Sequence, residues 1–172
     1  MISREDNHMG DEVNKKKYVM TAEGVKALED ELDYLKVVKM KEISIKIGEA
    51  REQGDLSENA EYDAAKDEQR DVQARIDQIE EQLKHAEIVD EDQMKSGVIN
   101  IGCNVKIHDN TYDEDLDFKI VGSTESNSLG GKISNESPLG QALIGAKVGD
   151  VVEVVMPDGT DTFTVLEITR NN

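Results

Sequence analysis

The chain has one cysteine, no tryptophan and few aromatic residues of any kind. Aromatic side chains make up 3% of its 172 residues and hydrophobic side chains 37%, so we expect a modest core and no large cofactor pocket. Because Cys103 is the only cysteine, no disulfide can form within the chain, and a reducing cytoplasm is the expected compartment. The three histidines lack the spacing of zinc ligands.

Long apolar runs are also absent. No stretch approaches the roughly 18 apolar residues that a membrane-spanning helix needs, and the N-terminus has no hydrophobic signal segment. We find no Ser/His/Asp arrangement, Walker motif or dinucleotide-binding fingerprint. We therefore expect a soluble cytoplasmic protein that makes no contact with membranes.

Positive charge is scarce. The formal net charge is −18, divided as 0 for residues 1–17, −11 for residues 18–97 and −7 for residues 98–172. A negative field repels phosphates, whereas autonomous nucleic-acid binding normally needs a basic face. The charge therefore predicts a protein partner and no independent DNA binding.

Two stretches of helical periodicity flank a short break in the chain. The apolar positions before the break are Val25, Leu28, Leu32 and Leu35, continued more loosely by Ile43, Ile47 and Ala50, and those after it are Val72, Ile76, Ile79, Leu83 and Ala86. This pattern predicts an antiparallel helical hairpin, in which each arm buries a narrow seam against the other. Arms of some thirty residues are roughly 45–50 Å long, so the hairpin must project as a rod.

The break, Gly54–Tyr62, is rich in turn-forming and acidic residues. Gly54 suits the position just past a helix end, and the stretch from Asp55 to Glu58 fits a capping box with Asp55 as the N-cap of the second arm. The same two carboxylates also suit a hard cation, because Mg²⁺ usually takes one or two protein carboxylates and fills its other positions with water and phosphate. Such a pair can complete a partner's metal site, and a capped turn would hold it rigidly.

Basic residues bracket this break, and a glycine interrupts the first arm. Pairing with nearby aspartates of the same helix is the expected role of Arg51, Lys66 and Arg70, while Tyr62 is expected to pack. Gly48 costs about 1 kcal/mol relative to alanine inside a helix. It indicates either a close approach of the arms or local softness.

The hairpin is expected over residues 18–96, with Thr21 as the N-cap of its first helix. Residues 1–17 are polar and end in three lysines, which predicts a disordered extension.

From residue 97 the apolar period changes towards 2, which predicts a second domain over residues 97–172. Strands are expected at 98–101, 104–108, 116–121, 151–156 and 162–168. Turns are expected at 109–110 and 157–159, and Pro138 and Gly145 suit the start and end of a short helix. The fold class is thus α+β, with a helical hairpin followed by a mainly antiparallel sheet.

Two separated motifs resemble the Gre family of bacterial transcript-cleavage factors. The run Gly54–Tyr62, preceded by Glu49-Ala50-Arg51, is similar to the hairpin tip of that family, and the similarity continues through Ser137–Gly145 and Val148–Asp150. It covers residues 18–170 in the family's order. The resemblance implies a coiled-coil hairpin and an FKBP-like C-terminal domain. Prolyl-isomerase activity is not expected, because it requires an aromatic-lined pocket and this domain has few aromatic residues.

The resemblance also implies a function as a transcription elongation factor. The rod would enter the secondary channel of bacterial RNA polymerase and stimulate the polymerase's own cleavage of backtracked nascent RNA, so the chain would not itself be an enzyme. A 3′ fragment would be released and elongation would resume. Asp55 and Glu58 would help hold a second Mg²⁺ shared with the polymerase, and no cofactor would be tightly bound.

The remaining tip residues take supporting roles under this resemblance. Arg51, Lys66 and Tyr62 would lie near the 3′ end of the nascent RNA, while Gly54, Leu56 and Asn59 would shape the turn. Two alternatives stay open: a channel-binding regulator that inhibits cleavage, and a plain coiled-coil module with an unrelated partner.

Overall fold

The computed structural model describes residues 16–54, 59–90 and 94–170. Its N-terminal part contains, in order, β1 (Tyr18–Met20), α1 (Ala22–Tyr34), a π-helix (Leu35–Lys39), α2 (Met40–Glu52), α3 (Ala60–Lys84) and β2 (Ala86–Ile88). The first three helical segments are continuous and form one arm, and α3 forms the other. We call the two arms together the rod. The predicted helical hairpin is confirmed.

The apolar seam of the rod is divided into two clusters. The base cluster is built on Met20, Leu28 and Ile79, and the tip cluster on Ile43, Ile47 and Ala65. The π-helix lies between them on the first arm. Because a π turn holds more residues than an α turn, it shifts the phase of the helix, which explains why the seam positions beyond Leu35 fit the α-helical period only loosely.

Ion pairs connect the two arms outside the seam. Arg75 donates two hydrogen bonds to the Glu31 carboxylate, at 2.7 and 2.8 Å. Nearer the tip, Glu68 accepts from Lys39 at 2.6 Å and from Lys46 at 2.8 Å. These contacts fix the register of one arm against the other.

The glycine in α2 does not mark a close approach of the arms. A Cβ atom built on Gly48 would have no neighbour within 4 Å. The close-approach interpretation is therefore wrong.

Two short strands close the base of the rod. β1 and β2 pair in parallel, with Tyr18 opposite Ala86. Thr21 follows β1 directly and accepts a hydrogen bond from the Gly24 N–H at 3.0 Å, which confirms it as the N-cap of α1. None of the helices in the described ranges is both long and apolar enough to cross a membrane.

The C-terminal part is a five-stranded sheet with one short α-helix, and we call it the sheet domain. Its elements are β3 (Cys103–Asp109), β4 (Glu114–Val121), a 3₁₀ turn (Ser128–Gly130), β5 (Lys132–Ser134), α4 (Pro138–Leu143), β6 (Val151–Met156) and β7 (Gly159–Arg170). The strand order is β5-β4-β3-β7-β6, and only the β4–β5 pair is parallel. The predicted α+β class, the short helix and four of the five strands are confirmed.

Alternate residues of the central strands supply a single core for this domain. The core residues are Ile99, Cys103, Val105, Ile107, Ile120, Leu143, Ala146, Val154, Phe163 and Val165. β3 shows the period-2 pattern most clearly, because its odd-numbered residues are all buried.

The predicted strand at 98–101 is wrong. Ile99 is fully buried, but its N–H donates to the Ala146 carbonyl and its carbonyl accepts from the Gly145 N–H, both at 2.9 Å. Gly97 and Gly102 on either side have φ of +83° and +92°, so the chain turns before a strand can extend. The apolar alternation at 98–101 reflects one side chain, that of Ile99, which is buried in the core of the sheet domain, rather than a strand.

Candidate functional site

The first arm ends in a glycine with left-handed backbone geometry. α2 runs to Glu52, and Gly54 has φ of +123°, as expected just past a helix end. The next four residues, which include Asp55, Leu56 and Glu58, lie outside the described residues. Their predicted roles as metal ligands and turn residues therefore stay predictions.

Asn59 connects the two arms beside this segment. Its side-chain oxygen accepts from the Tyr62 N–H at 3.1 Å, which makes it the N-cap of α3. Its side-chain amide donates to the Ala50 carbonyl of the first arm at 2.6 Å. One side chain thus starts the second arm and ties it to the end of the first.

The prediction that Asp55 caps the second arm is wrong. α3 begins at Ala60, directly after Asn59, and Asn is as good an N-cap as Asp. Only Asn carries the amide donor that reaches Ala50. The sequence signal was an asparagine, a good N-cap, directly before the helical residues that begin at Ala60. The acidic residues Asp55 and Glu58 led the prediction to Asp55 instead.

Arg51 and Tyr62 meet across the two arms. The guanidinium carbon of Arg51 lies 5.9 Å from the centre of the Tyr62 ring, within cation–π range. Tyr62 is half-buried and packs on the tip cluster, so its predicted packing role is confirmed. The arrangement holds a positive charge at the surface of the rod, close to Gly54.

The other two basic residues differ in their partners. Arg70 pairs with Asp67 as predicted. Lys66 instead donates to the side-chain oxygen of Gln69 at 2.7 Å. Within the described part of the chain, neither Arg51 nor Lys66 forms an ion pair with an aspartate, so their predicted aspartate pairing is not found there.

A groove of about 310 Å³ runs along the arms next to the tip. Glu49, Glu61 and Glu68 line it together with Lys46. Hydrogen bonds from Lys39 and Lys46 hold the pKa of Glu68 below its usual value. Residues 16–54, 59–90 and 94–170 contain no cluster of three His, Cys, Asp or Glu side chains suited to a metal ion.

Both parts of the chain match a known family. Residues 18–88 match the family described as "Transcription elongation factor, N-terminal", and residues 94–170 match "Transcription elongation factor, GreA/GreB, C-term". The chain therefore belongs to the GreA/GreB family of transcription elongation factors.

Individual relatives place it with factors of the GreA type. The chain is 60% identical to transcription elongation factor GreA of Lachnoclostridium phytofermentans, over 92% of this chain and 99% of that protein. It is 54% identical to the GreA of Clostridium botulinum, over 90% and 97%. Among solved structures, GreA factor homolog 1 (Gfh1) of Thermus thermophilus is 32% identical over 90% of this chain and 99% of that chain, with a TM-score of 0.42.

Proposed function

We propose that this transcription elongation factor stimulates the cleavage of backtracked RNA by bacterial RNA polymerase in the cytoplasm. The rod enters the secondary channel of the polymerase, and the sheet domain docks outside it. The membership in the GreA/GreB family supports this proposal. The shape also suits it, because the 31 residues from Ala22 to Glu52 form an arm of about 46 Å at about 1.5 Å per residue.

The observation that carries the proposal is the anchoring of the tip by Asn59. The described residues on either side of the acidic motif, Gly54 and Asn59, lie at one end of the rod, where the Asn59 side chain holds both arms. Asp55 and Glu58 lie between these two residues in the sequence, and we propose that they act from this end of the rod.

Two carboxylates fit the donor chemistry of Mg²⁺, which takes few protein oxygens when phosphate and water supply the others. When bound between Asp55, Glu58 and the polymerase, the ion would activate water and stabilise charge on the reacting phosphodiester. The part of this chain is to supply ligands and to orient water, while the polymerase catalyses the reaction. The products are a shortened RNA with a new 3′-OH and a released 3′ fragment.

Arg51 supports the same step by contacting the nascent RNA. Its guanidinium stacks on Tyr62, which pre-orders it without neutralising it, so its N–H groups can donate to an RNA phosphate. Lys66 adds a second positive charge on the other arm.

The test is a cleavage assay on a purified, backtracked elongation complex. Asp55→Asn and Glu58→Gln keep the shape of each side chain and weaken a charge-dependent bond to Mg²⁺. We expect at least a tenfold loss of stimulated cleavage with unchanged competition for polymerase. Raised Mg²⁺ should restore part of the loss if ion recruitment is the defect.

The matched controls are Asp63→Asn and Glu61→Gln, the same chemical changes in the first turn of α3. They should keep near-normal activity, and circular dichroism should show equal helix content in all four variants. Full activity of the double variant Asp55→Asn/Glu58→Gln would contradict the metal role. Suppression of cleavage by the unaltered protein would instead support the inhibitory alternative.

A further inference from the structure

In the described part of the chain, the rod and the sheet domain meet through a small group of residues, which we call the joint, and through one ion pair beside it. The joint consists of Val19, Thr21 and Gly24 at the base of the rod, and of Gly122 and Glu125 in the loop after β4. Glu125 accepts from the Thr21 N–H at 2.8 Å and from the Thr21 hydroxyl at 2.5 Å. Its carboxylate therefore binds Thr21, the N-cap of α1, where the helix dipole favours negative charge.

Two glycines make this contact possible. A Cβ atom on Gly24 would lie 2.6 Å from Cγ of Glu125 and closer still to its carboxyl group. A Cβ atom on Gly122 would lie 2.9 Å from the Val19 carbonyl carbon and closer still to its oxygen. Real Cβ atoms do not approach other heavy atoms this closely. At Gly122 the collision is with the Val19 backbone, so any side chain there would push the rod and the sheet domain apart. At Gly24 the collision is with the end of the Glu125 side chain, so a side chain there would displace this carboxylate from Thr21.

The surface around the joint is open rather than packed. A cavity of about 210 Å³ lies next to it, between α1, α3 and the loop at 124–125, and Leu28, Glu31 and Arg75 are among its lining residues. The neighbouring ion pair between Glu23 and Lys119 also joins the two parts, and its Glu23 side chain is exposed while Lys119 is mostly buried. Because Glu23 is solvated, this pair contributes less than a fully buried one. The few atoms of the joint therefore set the angle between the two parts.

We propose that Gly24, Gly122 and Glu125 are positioning residues, which aim the tip of the rod by fixing its angle to the sheet domain. This inference rests on the proposed function, in which the sheet domain docks and the tip reacts. The arm is about 46 Å long, so a rotation of about 5° at the joint moves the tip by about 4 Å. A displacement of about 1 Å from productive geometry can already reduce a reaction about 100-fold.

The decisive variants act on the joint in two independent ways. Gly122→Ala introduces a collision with the Val19 backbone. Glu125→Ala removes the acceptor without adding bulk. The control is Gly48→Ala, which makes the same change in α2 where a Cβ atom meets nothing within 4 Å.

The first measurement is the distance between the two parts in the free protein. Spin labels are placed on the exposed positions Ser44→Cys in the rod and Thr160→Cys in the sheet domain, while Cys103 is buried and left in place. Pulsed electron paramagnetic resonance should show a shift or broadening of several ångströms for both joint variants and none for Gly48→Ala. Thermal melting should show that both joint variants remain folded.

The second measurement is stimulated cleavage by the full-length variants. Both joint variants should lose tenfold or more in cleavage and less than twofold in competition for polymerase. An unchanged distance distribution in Glu125→Ala, or altered distances with normal cleavage, would overturn the inference. If Gly122→Ala fails to fold, Glu125→Ala decides alone. Absence of stimulation by the unaltered protein would refute the proposed function and leave the distance result standing.

Discussion

The rod and the sheet domain bury their apolar residues in different ways. The sheet domain has one continuous cluster of ten buried residues. The rod has two clusters of three buried residues each, separated along its length. A continuous core fails as a unit, whereas separate clusters permit one half of a rod to loosen while the other stays folded. The rod relies more on ion pairs and end contacts than the sheet domain does.

Matched truncations of one buried isoleucine in each part should give the largest effects. Ile107 in β3 and Ile43 in α2 are both 0% exposed. Ile107→Ala should lower the free energy of unfolding of the whole sheet domain by about 2–5 kcal/mol, because a cavity opens in a closed core. Ile43→Ala should lower the free energy of unfolding of the rod by a smaller amount, because the narrow seam can collapse onto the gap.

Hydrogen exchange separates these two outcomes by region. Ile107→Ala should increase exchange throughout β3, β4 and β7, while Ile43→Ala should affect the tip half of the rod and spare the base cluster. Val155→Ala in β6 is the control, since Val155 is 77% exposed. Equal loss of protection at the base and the tip after Ile43→Ala would contradict the two-cluster description.

Asn59→Asp tests the link between the arms with an intermediate effect. Aspartate keeps the N-cap acceptor but loses the amide that donates to the Ala50 carbonyl. We expect the free energy of unfolding of the rod to fall by about 1–3 kcal/mol, the usual penalty for a buried group left without its partner. The measurement is exchange of the amides in residues 43–50. Protection equal to that of the unaltered protein would show that the amide bond is dispensable.

Glu31→Gln should have a smaller effect that depends on salt and pH. Hydrogen bonding to Arg75 lowers the pKa of Glu31, so its contribution is present above the ordinary glutamate pKa and is lost as pH falls through the lowered pKa. The pair is partly solvated, which limits the decrease in the free energy of unfolding to below about 1 kcal/mol. Thermal melting at low and high salt checks this, with the exposed Glu29→Gln as the control.

His108 should give a weaker pH dependence of opposite sense in the sheet domain. Its ring nitrogens lie 2.8 Å from Asp115 and 3.3 Å from Asp113, and the hydrogen bond to Asp115 is the main cause of its raised pKa. The stabilisation is fully present below the ordinary histidine pKa and is lost as pH rises through the raised pKa. NMR titration of the ring should show the raised pKa, and His108→Gln should remove this part of the pH dependence. An ordinary ring pKa would contradict the contact.

Periodic burial was predictable from the sequence, because each buried stripe repeats with the period of its own helix or strand. The seam residues Leu28, Ile43 and Ile79 were found in this way. Contacts between distant parts of the chain were not. The three-residue strands β1 and β2 pair only because α3 brings Ala86 beside Tyr18, and no local pattern marks them.

The tip and the joint show the same limit. Both Asp55 and Asn59 are good N-caps, and only the amide contact with Ala50 distinguishes them. Gly24 reads locally as a poor helix former in a first turn. Glycine fits there because the side chain of Glu125, which lies much later in the chain, occupies the space that a Cβ atom would take.

The π-helix leaves the first arm with one spare residue. Removing a residue from an ordinary helix turns everything beyond it by about 100° and would face the tip cluster away from α3. Within Leu35–Lys39 the wide turn already holds an extra residue, so deletion of the exposed Val37 should convert it to an α turn and leave both clusters facing their partner. Unchanged exchange protection around Ile43 would verify this. The first arm can therefore lose one residue at this point without changing which residues of either cluster face α3.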